Sequence, residues 1–224
     1  MFKMLLKITM MMLSLCLFST ACTAPSSDKS FTEGVIATEE ATEEAKDEST
    51  KGTDDTMEKT NEKPRVRLTL EDGGIIEMEL YPDIAPLSCE LFLKGVESGY
   101  YNGKVFHRAI SGFMIQGGSK SGTGIGGMDE AIRGEFASNG FDNPLKHERG
   151  VLSLARTNDP NSASGQFFIM HEASPHLDGN YAAFGKVTSG MEIVDEIAEM
   201  PTTGYPSDEL IEKPVIESMI IIED

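Results

Sequence analysis

The residues with the most chemistry to offer lie between Val105 and Gly118, in the run Val-Phe-His-Arg-Ala-Ile-Ser-Gly-Phe-Met-Ile-Gln-Gly-Gly. Two short apolar segments, Val105–Ile110 and Phe113–Ile115, flank Ser111-Gly112, which is the pattern of a hairpin. Strand alternation puts Phe106, Arg108 and Ile110 on one face, with His107 and Ala109 on the other. A guanidinium among large apolar side chains is costly unless it is paired or binds something. Arg108 is therefore either a strand-end arginine with a salt-bridge partner or a functional group. The same segment carries one glutamine, Gln116, and an apolar pair, Phe113-Met114.

Several common chemistries do not fit. There is no Gly-x-Ser-x-Gly elbow, Ser153 lies inside an apolar strand pattern, and Cys89 has no histidine partner nearby in sequence. His171, Glu172, His176 and Asp178 are metal-ligating types, but their spacing matches no familiar ligand pattern. The glycine-dense loop Gly117–Gly127 lacks a Gly-Lys-Ser/Thr ending and a following helix, so phosphate cradling is not expected. The remaining set, an arginine, a glutamine and clustered Phe, Met and Leu, suits a reaction that breaks no covalent bond. Rotation about an X-Pro peptide bond is such a reaction, with a barrier of about 18–20 kcal/mol from amide resonance. A site accelerates it by binding the twisted amide better than either planar form. An apolar pocket would hold the proline ring, and a guanidinium would favour lost conjugation.

The elements that must position these residues can be read in order. Arg65–Leu70 and Ile75–Leu80 alternate around Glu71-Asp72-Gly73-Gly74, a hairpin signal. Pro86–Val96 places Leu87, Leu91, Phe92 and Val96 on one helical face, and Gly99 closes it. Strands follow at Gly150–Ala155, Gln166–Met170, Ala182–Val187 and Pro214–Ile222, with a second helix over Met191–Met200. The expected fold is mainly β: a closed eight-stranded antiparallel barrel capped by two helices.

Taken together, the motifs resemble those of a cyclophilin, a peptidyl-prolyl cis-trans isomerase, over roughly Pro64–Asp224. The resemblance rests on Val105–Arg108, Gly112–Gly118, Ser162–Ile169, Leu177-Asp178-Gly179 and Phe184–Val187, all in the family's order. It implies that Arg108 is the catalytic arginine and that Gln116 orients it. Phe113, Met114, Phe168 and Leu177 would form the proline pocket, with His176 and Tyr181 beside it. Gln166 and the Ala155-Arg156-Thr157 backbone would bind the substrate chain, and Gly122 would line the neighbouring pocket. No metal or cofactor is implied. His176 stands where many members carry Trp, Tyr181 where a histidine is common, and Arg156–Asn158 replaces the usual Ala-Asn-Ala, leaving residue preference before proline open. The expected partners are proline-containing polypeptides, and the pattern is compatible with a monomer. A binding module without turnover and a purely structural surface protein are the competing readings.

Outside this domain the chain changes character. Met1–Ala21 has Lys3 and Lys7, an apolar run Ile8–Phe18 and small residues, the pattern of a secretory signal. Ser19-Thr20-Ala21-Cys22 resembles a bacterial lipobox, with Ser19 where Leu is preferred, so Cys22 is the expected lipid anchor and simple secretion the alternative. Lipid anchoring would place the protein on the extracytoplasmic side of the membrane. Residues 22–63 read as a disordered acidic tether, because Asp28–Glu62 holds twelve acidic residues, four lysines and few large apolar ones. The formal net charge of −18 argues against nucleic acid. Cys89, in an apolar helical pattern, reads as a small core residue.

Overall fold

Glu71-Asp72-Gly73-Gly74 turns the chain back on itself, so β1 (Arg65–Leu70) pairs antiparallel with β2 (Ile75–Leu80), Arg65 opposite Glu79. The computed structural model describes residues 63–223; Cys22, the signal segment and the tether up to residue 62 lie outside them. Helix α1 (Pro86–Glu97) follows, then β3 (Phe106–Ile110), β4 (Met114–Gly117), β5 (Val151–Leu154) and β6 (Phe167–Met170). β7 (Ala183–Ser189), α2 (Met191–Ala198) and β8 (Ile216–Ile222) complete the domain. The eight strands form one antiparallel sheet in the order β3-β4-β6-β5-β7-β2-β1-β8.

That sheet is an open, curled half-barrel, which corrects the expected closed barrel. β3 and β8 share no ladder, and a single bridge, Val105 to Val215, joins the chain beside them. The reason is local. The free edge of β3 is already occupied by residues 208–210: Ala109 N–H donates to the Asp208 carbonyl at 3.2 Å and Leu210 N–H to the His107 carbonyl at 3.0 Å.

One face of the sheet, with both helices, encloses the main core. Phe92, Tyr101, Phe106, Phe167 and Phe184 are fully buried there. Phe167 meets Phe92 edge-on at 5.4 Å, Tyr101 at 5.5 Å and Phe106 at 5.9 Å, an arrangement that the ring quadrupoles favour. The other face carries a smaller cluster around Met114, Val151, Phe168, Met170, Leu177 and Ala183. β5 and β6 are buried on both faces, which is why their sequences read as near-continuous apolar runs, broken by Ser153 alone.

α1 starts at Pro86, whose missing N–H removes one orphan donor of the first turn. Ala85 offers no side-chain cap. A distant residue does: the buried carboxylate of Glu135 accepts the N–H groups of Leu87 (2.9 Å) and Ser88 (2.8 Å) and the Ser88 hydroxyl (2.6 Å). A negative charge at this end also complements the helix dipole. The buried stripe runs through Ser88, Cys89, Leu91, Phe92, Gly95 and Val96. Leu87, expected on that face, is 39% exposed, because a stripe centred on Ser88, Phe92 and Gly95 leaves it at the margin. Gly95 is needed there: a Cβ would lie 2.6 Å from the Tyr101 ring. The Cys89 thiol is buried in this core, and burial pushes its pKa up to about 12, so it stays protonated and inert.

Candidate active site

The β3–β4 hairpin turns at Ser111-Gly112 as expected, but β3 does not alternate simply. Pairing shifts between Phe106 (opposite Gly117) and Arg108 (opposite Gln116), so His107 is an extra residue in β3. The bulge breaks simple alternation. Phe106 goes into the main core with Ala109, while Arg108 and Ile110 emerge on the opposite face. The expectation that Phe106 shares a face with Arg108 is thereby corrected. His107 points under the glycine-dense loop, with Nδ1 3.4 Å from the Ser119 hydroxyl, and burial, with Lys213 and Arg108 nearby, lowers its pKa to about 4.

On the face where Arg108 emerges, one groove is lined by Arg108, Phe113, Met114, Gln116, Ala155, Arg156, Phe168, His176, Leu177, Asn180 and Tyr181. Four separate parts of the chain supply these residues: the β3–β4 hairpin, the end of β5, β6, and the turn 175–181. Phe168 forms the floor, Tyr181 meets it edge-on at 5.8 Å, and Phe113 lies 5.6 Å from the His176 ring. The Arg108 side chain is one-third exposed and pairs with Asp208, Nη2 to Oδ2 at 3.6 Å. Arg108 thus has the salt-bridge partner of its plainer reading and a place in an apolar groove as well. Gln116 does not hold it by a hydrogen bond; the Gln116 amide donates to Gln166 Oε1 at 3.1 Å.

Gln166 in turn donates to the carbonyls of Gly124 (3.0 Å) and Gly126 (2.8 Å), tying the glycine-dense loop to the sheet. A second, polar pocket opens here, lined by Gln116, Gly124, Gly126, Ala155, Arg156, Thr157, Ser162, Ser164 and Gln166. Gly122, expected in this lining, lies outside it. Its carbonyl instead accepts from Lys213 Nζ at 2.9 Å, and Gly124 and Gly126 occupy the wall. Arg156 borders both pockets. Its guanidinium sits 4.7 Å from the Tyr181 ring centre and 5.0 Å from that of Phe136, and donates to the Asn180 carbonyl.

Behind the groove floor the structure assembles a constellation that sequence spacing does not suggest. Ser153 Oγ lies 3.1 Å from His147 Nε2, and His147 Nδ1 lies 3.1 Å from Asp178 Oδ1. Burial lowers the His147 pKa, keeping the imidazole neutral. Burial would raise that of Asp178, but the His147 backbone N–H and ring, with Lys146, outweigh it and keep the carboxylate ionised. An ionised carboxylate can only accept, so Nδ1 carries the proton and Nε2 accepts from Ser153. The order resembles a hydrolytic triad, yet Ser153 and His147 are sealed from solvent and the imidazole stacks on Phe168 at 6.1 Å. No scissile bond could reach that hydroxyl. The three residues form a satisfied polar support beneath the groove floor.

These features converge on one family. The chain belongs to the cyclophilins: the family model "Cyclophilin type peptidyl-prolyl cis-trans isomerase/CLD" matches residues 65–221. It is 46% identical over 129 residues to peptidyl-prolyl cis-trans isomerase B of Bacillus subtilis, covering 58% of this chain and 87% of that one. It is 47% identical over 131 residues to peptidyl-prolyl cis-trans isomerase-like 3 of Gallus gallus, covering 58% and 80%. A crystal structure of a Cryptosporidium parvum cyclophilin, determined in the presence of the dipeptide Ala-Pro, superposes with a TM-score of 0.64 at 33% identity, covering 71% of this chain and 99% of that one. The protein is a peptidyl-prolyl cis-trans isomerase.

Proposed function

We propose that Arg108 is the group that lowers the rotational barrier and that the groove around it seats the proline. The observation that carries this reading is the lining itself: one guanidinium shares a groove with Phe113, Met114, Phe168 and Leu177. The proline ring sits on Phe168, against Phe113 and Leu177, excluding water from the amide. As the C–N bond twists, conjugation is lost and the nitrogen becomes a hydrogen-bond acceptor. An Arg108 N–H donated to that nitrogen is worth most when the amide is perpendicular, so it stabilises the transition state more than either planar form. The polar pocket beyond Gln116 and Gln166 receives a residue that precedes the proline, and the Ala155–Thr157 backbone aligns the chain.

Arg108→Ala is the direct test. Loss of one donor aimed at the transition state costs on the order of 10²–10³ in rate. Isomerisation of an X-Pro peptide, followed by exchange spectroscopy, is expected to slow by that factor while circular dichroism stays unchanged. Wild-type rates in this variant would overturn the assignment.

The cellular reading is that the enzyme works on proline-containing polypeptides outside the cytoplasm, tethered by a lipidated Cys22 through the acidic segment to residue 63. The lipobox-like Ser19–Cys22 run after a basic and apolar leader supports it. Cys22→Ala is expected to move the protein from the membrane fraction to the medium; continued membrane association would refute the anchor.

A further inference from the structure

Between α2 and β8 the chain runs out into an arm, residues 202–213, that no motif in the sequence marks. The arm closes on itself through the Thr202–Leu210 bridge and through Thr203 N–H donating to the Glu209 carbonyl at 2.8 Å. It lies along the free edge of β3, where Arg108 and Glu209 face each other as an isolated bridge pair. Its far end is pinned by Lys213, which pairs with Glu209 and donates to the Gly122 carbonyl.

At the centre of this contact stands Asp208. Its carboxylate is largely buried, with a side-chain exposure of 16%, and its charged partner is Arg108. Asp208 is also the single non-glycine residue at positive φ (+49°) among the described residues. Aspartate tolerates the left-handed region better than most side chains, but the conformation still needs support from its surroundings. Here the support is the pairing of the arm with β3, and the outcome is a carboxylate held against the guanidinium from outside the groove lining.

Resting on the reading of Arg108 as the catalytic group, we infer that Asp208 is its positioning residue. Left unpaired, an arginine side chain one-third exposed at a groove wall samples many rotamers, and a donor that must meet a twisting amide nitrogen loses rate when it wanders. A carboxylate on Nη2 fixes the planar fork and leaves the other N–H groups for substrate. The role expected of Gln116 is thus performed from the opposite side, by a residue on a different segment. Gln116 is left to brace Gln166.

Two substitutions at position 208 keep the backbone. Asp208→Asn retains a left-handed-tolerant side chain and removes the charge; Asp208→Gly suits the φ and removes the side chain. In the full chain, both are expected to lower kcat for an X-Pro peptide by about tenfold or more, with KM little changed. The Arg108 Nε–H resonance is expected to stand apart from that of a free arginine in the wild type and to shift toward it in both variants. In an Arg108→Ala background, adding Asp208→Asn is expected to change nothing further. Unchanged kcat in both variants overturns the inference, as does a rise in KM alone or an equal loss with and without Arg108. Full activity of Arg108→Ala alone would instead bring down the catalytic assignment beneath it, and this inference with it.

Discussion

Phe167 and Phe168 are consecutive residues of one strand with the same side chain and opposite employment. Phe167 is the hub of the sealed aromatic core, in ring contact with Phe92, Tyr101 and Phe106. Phe168 faces the other way, over the buried His147 and under Tyr181, as the floor of an open groove. The pleat separates them. One face of the sheet is packed to exclude everything; the other carries a smaller buried cluster, in which Phe168 keeps 5% exposure where the cluster borders the groove. The groove opens where this second, smaller cluster meets solvent.

Truncating each phenylalanine in turn puts this contrast at greatest risk. Phe167→Ala removes three edge-on partners from a site with no solvent exposure, and is expected to cost about 3–5 kcal/mol of stability. Urea unfolding would read it, and kcat/KM per folded molecule would change little by comparison. Phe168→Ala is expected to cost less stability, about 2–3 kcal/mol, because it leaves a smaller apolar cluster than the one around Phe167. On its proposed role as the proline seat, its larger effect is on catalysis: kcat/KM is expected to fall by about one to two orders of magnitude, in proportion to the apolar area that the proline ring can no longer bury. Equal losses of stability and equal losses of rate in the two variants would erase the distinction between the faces.

Much of the fold was legible because local chemistry and tertiary structure agree. β1 and β2 appear at their observed limits, since each buries one face and alternates accordingly. The groove residues were legible through ordered motifs rather than periodicity, and ten of them do line one groove: Arg108, Phe113, Met114, Gln116, Ala155, Arg156, Phe168, His176, Leu177 and Tyr181. What stayed hidden depends on contacts between distant segments. The His107 bulge cannot be seen in an alternating string, and it decides which way Phe106 points. Nothing around Ala85 announces that Glu135, some fifty residues on, will cap α1. The open sheet follows from where the arm 208–210 lies, and Asp208 is an ordinary loop aspartate until β3 is placed beside it.

The bulge adds a pH dependence that belongs to neither phenylalanine. The His107 side chain lies beneath the loop that shapes the polar pocket. Its pKa is depressed from 6.5 to about 4, chiefly by burial. The unfolded chain therefore binds a proton that the folded chain refuses, and stability rises with pH between those two values. Stability is fully present above pH 6.5 and is lost as pH falls from 6.5 to about 4, by up to about 3 kcal/mol at 1.36 kcal/mol per pH unit. His147, also lowered by burial, acts in the same direction. Denaturant midpoints measured across this range should slope less in His107→Gln than in the wild type. Parallel slopes would show that His107 does not carry the acid sensitivity.

Glu135 gives the smallest effect and the cleanest control, because it stabilises the sealed side without touching the open one. Its two oxygens accept three donors at the start of α1, where Pro86 has no N–H and those of Leu87 and Ser88 have no intrahelical partner. Glu135→Gln keeps the shape but turns one acceptor into a donor facing other donors, and it removes the charge that complements the helix dipole. The expected cost is about 1–2 kcal/mol. Because α1 packs on the core face and contributes nothing to the groove lining, kcat/KM should match the wild type at temperatures where both are folded. If Glu135→Gln instead slowed isomerisation while leaving the unfolding midpoint unchanged, the two faces of the sheet could not be treated as separate: a disturbance at the helix start would be reaching Arg108 through the core, and the groove would depend on the very packing that otherwise only supports it.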